Sequence, residues 1–378
     1  MVRVSRGMLL SATRQFHLRR LPYLDHMSTT FHPPTGCKTL YRWRSASLEH
    51  NLRSLMPELG HCPLTIDTRE LGGNASFVNF VRHHQFVHPI TGQNVELVEK
   101  SVRKLAFIGS QEARFHRAMG MLEGSQHFHH PACLGIIETP WESLIFTEFV
   151  RGKAPRMQVI ARPLALGIAE LEYKSHRYIE AQPLQKAPLF WSMDFYRPWF
   201  LLRPRFNFAR CLPALQRLGE TDSRFRGLRV AFQAFEPLLA RYAGAARHSP
   251  RCISHMDYLR KNLIVNRPRL QLIDWSEVKV GRVGFDGGTY LGNMFRRKDM
   301  SVFLSSQRRF TETYASALAS DFDIEESLRN LDYMFLLNAL FHCLRPETIT
   351  EYQEKERMPL LREKYDYLLG LIPEMTDA

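Results

Sequence analysis

The chain has 378 residues, of which 44% are hydrophobic, and a formal net charge of +13. This composition suits a globular protein with one large or two smaller cores, and it contains no run of about 18 apolar residues that would predict a membrane-spanning helix. The charge does not predict specific nucleic-acid binding, because basic residues are spread along the chain without an RNA-binding or zinc-finger motif. An anionic substrate, an anionic membrane surface or simple solubility explains it equally well.

Six cysteines are scattered along the chain without the C-x-x-C spacing of a zinc site. Their positions define no disulfide framework, so we expect reduced thiols and a cytoplasmic protein. The six residues are Cys37, Cys62, Cys133, Cys211, Cys252 and Cys343.

Residues 1–40 are predicted to form a basic leader without stable structure. Five arginines precede the first acidic residue, Asp25, and are interspersed with serine and threonine. This composition suits an organellar transit peptide, a disordered basic leader, or a region upstream of a translation start at Met27, and the sequence leaves all three open. The arginines are Arg3, Arg6, Arg14, Arg19 and Arg20.

The next part of the chain is predicted to contain a helix followed by a small sheet. Leucines at helical spacing predict a helix over Tyr41–Leu59. Leu64–Asp67 and Phe77–Val81 are predicted strands, joined by a glycine-containing turn over Leu71–Ser76. Backbone N–H groups of such a turn can approach the phosphates of a nucleotide. The candidate phosphate-binding residues of the turn are Gly72, Gly73, Asn74 and Ser76.

A further predicted strand, Val95–Val102, places Lys100 on the same face as Val98 if its side chains alternate. In ATP-dependent phosphoryl transfer a strand lysine contacts the α- and β-phosphates. Lys100 is the first candidate for this role, and Lys104 competes with it.

Residues 188–211 combine many aromatic side chains with Arg197, Arg203, Arg205 and Arg210. Three interpretations stay open. The aromatic residues can pack an inserted pair of helices, because they bury large areas. The arginines can bind an anionic or phosphorylated acceptor by bidentate contacts. Alternatively, the segment can meet lipid headgroups, where Trp, Tyr and Arg are favoured.

The stretch Ser254–Asn262, followed by Leu272–Trp275, places an Asp, an Asn and a second Asp at the spacing that phosphoryl transfer requires. One Asp orients and deprotonates the acceptor hydroxyl, and the Asn and the second Asp hold Mg²⁺. Asp257, Asn262 and Asp274 fit these roles in that order. Asp and Asn are also common in turns, but short apolar strands on both sides of the loop favour a loop and hairpin that bring all three to one end of a sheet.

These residues resemble the aminoglycoside phosphotransferase and choline kinase family, from about Leu64 to the C-terminus. The catalytic loop of that family usually reads H-G-D-x-x-x-x-N, and its metal-binding strand reads I-D-W or I-D-F. His255, Asp257, Asn262 and Asp274 match these patterns. Met256 departs from them, because it replaces the usual glycine.

The resemblance implies an α+β, two-lobed protein-kinase-like fold. A small antiparallel-sheet lobe over residues 41–150 would bind the nucleotide. A mostly helical lobe over residues 151–378 would carry the catalytic loop and an acceptor-binding insertion at about residues 180–230. Helical spacing from Ser301 to Leu369 agrees with this assignment.

The resemblance also assigns roles to residues outside the main motif. Glu112 would hold Lys100 in place, and backbone groups from Glu148 to Val150 would form the hinge that meets adenine. His255 is counted with Asp257 among the catalytic residues, and it would fix the loop by hydrogen bonding. Asp286 would support the backbone of the loop from the start of a helix.

The expected activity is therefore transfer of the γ-phosphoryl group from ATP, with Mg²⁺, to a hydroxyl of a small molecule or glycan. An anionic or lipid-linked acceptor stays open as an interpretation, and it would allow peripheral contact with a membrane. A catalytically silent, nucleotide-binding regulator is the alternative. Protein kinase activity is disfavoured, because the short run from Asp274 to Asp286 leaves little room for an activation loop.

Overall fold

The protein is described here by a computed structural model that covers residues 37–75, 78–104, 110–181, 208–266 and 269–376. Residues 1–36 of the predicted leader, Ser76, and residues 188–207 of the aromatic and arginine segment lie outside the described residues. Lys38–Leu40 were expected in the leader, and this boundary is wrong. They belong to a strand, because their backbone pairs in register with residues 135–137.

The described residues form eleven strands in three sheets. The strands are β1 (Lys38–Tyr41), β2 (Asp67–Ala75), β3 (Val78–Val87), β4 (Asn94–Arg103), β5 (Phe128–His129), β6 (Cys133–Glu138), β7 (Glu142–Glu148), β8 (Arg251–Ser254), β9 (Leu263–Asn266), β10 (Arg269–Leu272) and β11 (Lys279–Arg282). The largest sheet has the order β1-β6-β7-β4-β3-β2, and all its neighbouring pairs are antiparallel except β1 and β6. The smaller sheets are β5-β10-β9 and β11-β8.

Most helices follow the large sheet. They are α1 (Leu48–Leu55), α2 (Gln111–Ala118), α3 (Ala161–Ala181), α4 (Phe208–Thr221), α5 (Leu228–Gln233), α6 (Phe235–Ala246), α7 (Phe285–Arg297), α8 (Met300–Ala317), α9 (Ile324–Cys343), α10 (Pro346–Glu354) and α11 (Met358–Thr376). The predicted α+β class, a small mainly antiparallel sheet before a mostly helical part, is confirmed. Within the described ranges, no helix is long and apolar enough to cross a bilayer.

One face of the large sheet packs against α1. Leu52, Leu55 and Leu59 are buried there against β4, β6 and β7, as their helical spacing predicts. The helix itself is shorter than predicted. Tyr41 ends β1, and α1 begins only after Ser47, whose side chain accepts a hydrogen bond from the backbone N–H of His50.

The predicted glycine turn over Leu71–Ser76 is wrong in its position, because Gly72 and Gly73 lie inside β2. A register shift between Glu70 and Gly72 keeps the strand paired with β3. A Cβ atom on Gly73 would lie 2.8 Å from the carbonyl oxygen of Asn79, so the two backbones approach too closely for a side chain. The tip of the hairpin at residues 76–77 lies outside the described part of the chain.

Two of the six cysteines form a disulfide, which contradicts the expectation of reduced thiols throughout. Cys37 precedes β1 and Cys133 begins β6, and the parallel pairing of these strands brings their Cα atoms to 5.3 Å. The sequence gives no sign of this pairing, because the two residues are 96 positions apart.

A close contact between α7 and α9 fixes the position of the helix that follows β11. Gly284, Gly288 and Gly292, spaced four residues apart, face α9. A Cβ atom on Gly288 would lie 2.6 Å from the backbone nitrogen of Phe335. Side chains at these positions would therefore force the two helices apart.

Replacing Gly288 with alanine should lower the free energy of unfolding by about 2 kcal/mol or more, because the new methyl group overpacks the contact between α7 and α9. The matched control is Gly244→Ala in α6, where an added Cβ atom meets no atom within 4 Å. That change should raise the free energy of unfolding by about 0.5–1 kcal/mol, because alanine favours the helix. Urea denaturation of both variants provides the measurement, and equal stabilities would contradict the packing argument.

Candidate active site

The loop between β8 and β9 brings together the three polar residues predicted from its spacing. The Asn262 side-chain amide donates to Oδ2 of Asp257 at 2.8 Å and to the Asp257 carbonyl oxygen at 3.0 Å. The backbone N–H of Ile273, next to Asp274, donates to the carbonyl oxygen of Asn262 at 3.0 Å. Burial raises the pKa of Asp257, although the hydrogen bond from Asn262 opposes this shift.

Lys100 connects the large sheet to Asp274. Its ammonium group donates to Oδ1 of Asp274 at 2.6 Å and lies 2.7 Å from Oε2 of Glu112 on α2. Lys104 contacts Glu138 and donates to the carbonyl oxygen of Thr139. The structure therefore places Lys100, and not Lys104, beside the predicted metal-binding carboxylate.

Lys100 and Asp274 each stabilise the charged form of the other. Burial alone would lower the pKa of Lys100, but the carboxylates of Glu112 and Asp274 more than offset this effect and raise it. Burial opposes ionisation of Asp274, yet Lys100 holds its pKa at about 2. Burial raises the pKa of Glu112, and Lys100 opposes the shift. Lys100 is thus protonated and Asp274 ionised at neutral pH.

An aromatic stack aligns α2 with the turn that carries Asp274. The rings of Phe115 and Trp275 lie parallel, with centroids 3.6 Å apart. Phe115 follows Glu112 by three residues, so both side chains lie on the same face of α2. Trp275 directly follows Asp274. The stack therefore holds the two carboxylates on either side of Lys100.

His255 uses both ring nitrogens to shape the loop. Nδ1 accepts a hydrogen bond from the Asp257 backbone N–H at 3.2 Å, so Nε2 is the nitrogen that donates to the Ile273 carbonyl oxygen at 3.1 Å. The ring is fully buried, and this burial lowers the pKa of His255 to about 4. A neutral, buried ring with both nitrogens engaged holds the backbone at Asp257 in place.

Asp286, in the first turn of α7, supports the catalytic loop by accepting hydrogen bonds from its backbone. Its carboxylate accepts the backbone N–H groups of His255 and Met256 at 2.9 and 3.0 Å and the hydroxyl of Tyr258 at 2.9 Å. Burial raises the pKa of Asp286 to about 6, and these three donors limit the increase. This is the supporting position expected from the sequence.

Met256 has a backbone φ of 66°, in the left-handed region. This conformation costs a residue with a side chain about 1–2 kcal/mol relative to glycine. The departure from the H-G-D pattern thus occurs at a position where the backbone favours glycine. The Met256 side chain is partly buried and packs against the largest cluster of buried hydrophobic residues.

The predicted hinge begins at the last residue of β7, an inner strand of the large sheet. The Glu148 and Phe149 backbone N–H groups donate to the carbonyl oxygens of Ala132 and Glu96. Val150 and Arg151 lead on to Gly152, where a Cβ atom would lie 2.7 Å from the Val265 carbonyl oxygen. The chain after the hinge therefore runs close against β9, the strand that continues from the catalytic loop.

Gly72 of β2 lies on the same row of the sheet as Lys100. Gly72 pairs with Val81, and Val81 pairs with Lys100. Two strand spacings, about 10 Å, therefore separate Gly72 from the lysine. Gly73 and Asn74 continue from Gly72 towards the hairpin tip, and Ser76 lies outside the described residues.

One supporting residue escaped sequence analysis. Glu172 of α3 is fully buried and accepts the backbone N–H of Gly284 at 2.9 Å and the hydroxyl of Tyr314 at 2.5 Å. It thereby anchors the start of α7, next to Asp286. Its spacing from Ile168 and Ser175 places it on the buried face of α3, and this was the signal available in the sequence.

Comparisons with known proteins identify related chains. A family model described as "Phosphotransferase enzyme family" matches residues 44–319. No curated protein matches the chain.

Solved structures with similar folds share little sequence with this chain. A choline kinase from Cryptosporidium parvum Iowa II is 12% identical, with 82% of this chain and 90% of that chain covered and a TM-score of 0.48. Amicoumacin kinase hAmiN, in complex with AMP-PNP, Ca²⁺ and Ami, is 11% identical, with 85% and 94% covered and a TM-score of 0.49. An ADP-bound aminoglycoside phosphotransferase is 14% identical, with 86% and 97% covered and a TM-score of 0.42.

Replacing Met256 with glycine should give a protein more stable than Met256→Ala by about 1 kcal/mol. Both changes remove the packed side chain, but only glycine relieves the left-handed backbone. Denaturant unfolding of the two variants compares them directly. An alanine variant at least as stable as the glycine variant would show that this backbone conformation carries no strain.

The stability of the wild type should fall as the pH decreases from about 6.5 to 4, in part because His255 is neutral in the folded protein and protonated in the unfolded chain. His255→Gln should lose less stability over this range, with a slope smaller by up to about 1.4 kcal/mol per pH unit. Buried His130, whose pKa is lowered to about 4 by burial, contributes to both proteins and cancels in the comparison. Parallel unfolding curves at pH 7, 6 and 5 test this, and identical slopes would refute it.

Proposed function

The chain belongs to the phosphotransferase enzyme family, and from that premise we propose that it transfers the γ-phosphoryl group of ATP to a hydroxyl of a small molecule or glycan. The observation that carries this proposal is the set of contacts around Asp274. Lys100 on β4 contacts the carboxylates of both Asp274 and Glu112. Asn262 donates to Asp257, and its carbonyl oxygen accepts the backbone N–H of Ile273, the residue before Asp274. The family and the two-lobed fold agree with the resemblance found in the sequence.

The residues present suit a magnesium nucleotide. Asp274 and Asn262 offer oxygen donors, which Mg²⁺ prefers, and Asp274 stays ionised at neutral pH because of Lys100. We assign metal binding to these two residues and phosphate binding to Lys100, which Glu112 orders. When bound, Mg·ATP supplies the phosphoryl group and the metal ion neutralises part of its charge.

Asp257 would orient the acceptor hydroxyl and accept its proton. The Asn262 amide fixes one oxygen of the carboxylate, so the direction of the group is set before the acceptor binds. Burial raises the pKa of Asp257, and this makes it a better base than an exposed aspartate. His255 would keep the loop in shape without touching the acceptor.

Two further segments would complete the nucleotide site. We assign the adenine contacts to backbone groups between Glu148 and Val150. The hairpin that carries Gly72, Gly73, Asn74 and Ser76 would cover the phosphates, because Gly72 shares a row of the sheet with Lys100. We accordingly propose that the boundary between the two lobes lies near residue 150.

The proposal names the acceptor only as an alcohol. Part of the acceptor-binding insertion predicted at about residues 180–230, namely residues 182–207, lies outside the described residues. An anionic or lipid-linked acceptor, contact with a membrane surface and a cytoplasmic location are further proposals that depend on the sequence alone.

A catalytically silent regulator is the second candidate function. Its motivation is Met256, which departs from the family pattern beside the proposed base. The complete set of Asp257, Asn262 and Asp274 favours catalysis, because nucleotide binding alone does not require a base for the acceptor.

Asp274→Ala should abolish ATP turnover with the fold intact, because it removes the metal-binding carboxylate.

Asp257→Asn should lower phosphoryl transfer by about 10²–10⁴-fold while Mg·ATP binding is retained. The measurements are calorimetric titration with Mg·ATP, and ATP consumption with a panel of aminoglycosides, choline-like amines, sugars and lipid-linked glycans. Unchanged turnover in Asp274→Ala would eliminate the proposed function. Mg·ATP binding without turnover of any acceptor would favour the silent regulator.

A further inference from the structure

Lys261 is a charged residue of the catalytic loop that no step described above uses. It lies in the single turn of 3-10 helix Arg260–Asn262, between Asp257 and the end of the loop. Its ammonium nitrogen is 3.8 Å from Oδ2 of Asp274, and 67% of its side chain is exposed. The two oxygens of Asp274 thus face two different lysines, since Oδ1 binds Lys100.

Three other cations, one on the loop, one on β4 and one on β11, make shorter contacts than Lys261 does. Lys100 lies within 2.7 Å of two carboxylates. Lys279 donates to the carboxylate and carbonyl oxygens of Glu277 at 2.9 Å. Arg260 donates to the carbonyl oxygen of Pro155 at 3.1 Å. The 3.8 Å separation at Lys261 is longer than a hydrogen bond, so its ammonium group can move towards an incoming anion at little cost.

The location of Lys261 matches the place where negative charge develops. Lys261 follows the proposed base, Asp257, by four residues in the same loop, and its ammonium group lies beside the proposed metal-binding carboxylate of Asp274. A phosphoryl group in transfer must pass beside these two residues, and its three peripheral oxygens share negative charge during the step.

We propose that Lys261 is a further catalytic residue that contacts the phosphoryl group in transfer, an inference that rests on the proposed function. In this step the acceptor oxygen forms a bond to the γ-phosphorus, and the bond from that phosphorus to the bridging oxygen breaks. The electron pair of the broken bond stays on ADP, and the acceptor proton passes to Asp257. Lys261 stays protonated throughout and donates hydrogen bonds to the phosphoryl oxygens.

The inference is tested first by nucleotide binding, because binding does not require the unknown acceptor. Calorimetric titration with Mg·ATP and with Mg·ADP compares the wild type with Lys261→Met, which keeps the length of the side chain but removes its charge. The affinity for ATP should fall about 10-fold, whereas the affinity for ADP, which lacks the γ-phosphate, should change less than about 2-fold. Lys261→Arg should recover part of the affinity for ATP, because it restores the charge.

Turnover gives the second readout. ATP consumption, measured without an acceptor as slow hydrolysis or with an acceptor from the panel, should fall about 10²-fold in Lys261→Met. The matched control is Lys355→Met, an exposed lysine directly after α10 that pairs with Glu351. It should leave both affinities and turnover unchanged.

The possible results separate the two proposals. Equal affinities of wild type and Lys261→Met for ATP, or equal losses for ATP and ADP, would overturn the role of Lys261 and leave the proposed function standing. A wild-type protein that binds neither nucleotide would overturn both.

Discussion

The Lys100 ammonium group lies between the carboxylates of Glu112 and Asp274, and the rest of the site depends on this contact. Charges removed from water are stable only when they are paired, so the loss of one partner leaves the others uncompensated. The strand, the helix and the turn that carry these residues must therefore keep fixed relative positions. The Phe115 and Trp275 stack supplies an apolar contact that maintains this spacing without adding charge.

The parts of the site that could be predicted are those set by neighbouring positions in the chain. Asp257 and Asn262 share one short loop, and Asp274 follows on the adjoining hairpin, so their spacing alone placed them together. Alternation along β4 predicted the face of Lys100 but could not exclude Lys104. The contacts of Lys100 with Glu112 and Asp274 decide between them, and Asp274 lies 174 positions away in the chain.

The features that sequence reasoning missed depend on contacts between distant segments. Cys37 and Cys133 meet only because β1 lies parallel to β6. Glu172 belongs to α3, and its role becomes visible only when α7 begins beside it, with Gly284 donating to its carboxylate. The glycines of β2 suggested a turn because glycine is common in turns. In the structure both lie within a strand, and Gly73 allows that strand to approach its neighbour closely, a distinction that no local pattern contains.

The parallel pairing of β1 with β6 has a consequence for the order in which the sheet forms. The antiparallel strands β6 and β7 are joined by a short turn and can pair early, whereas β1 must close a loop of 96 residues to reach β6. The entropy of closing such a loop delays long-range pairing. β1 therefore docks onto an edge that already exists. In the native state β1 is an outer strand, and the disulfide between Cys37 and Cys133 keeps its start on β6, beside the ladder that runs from β6 to β2.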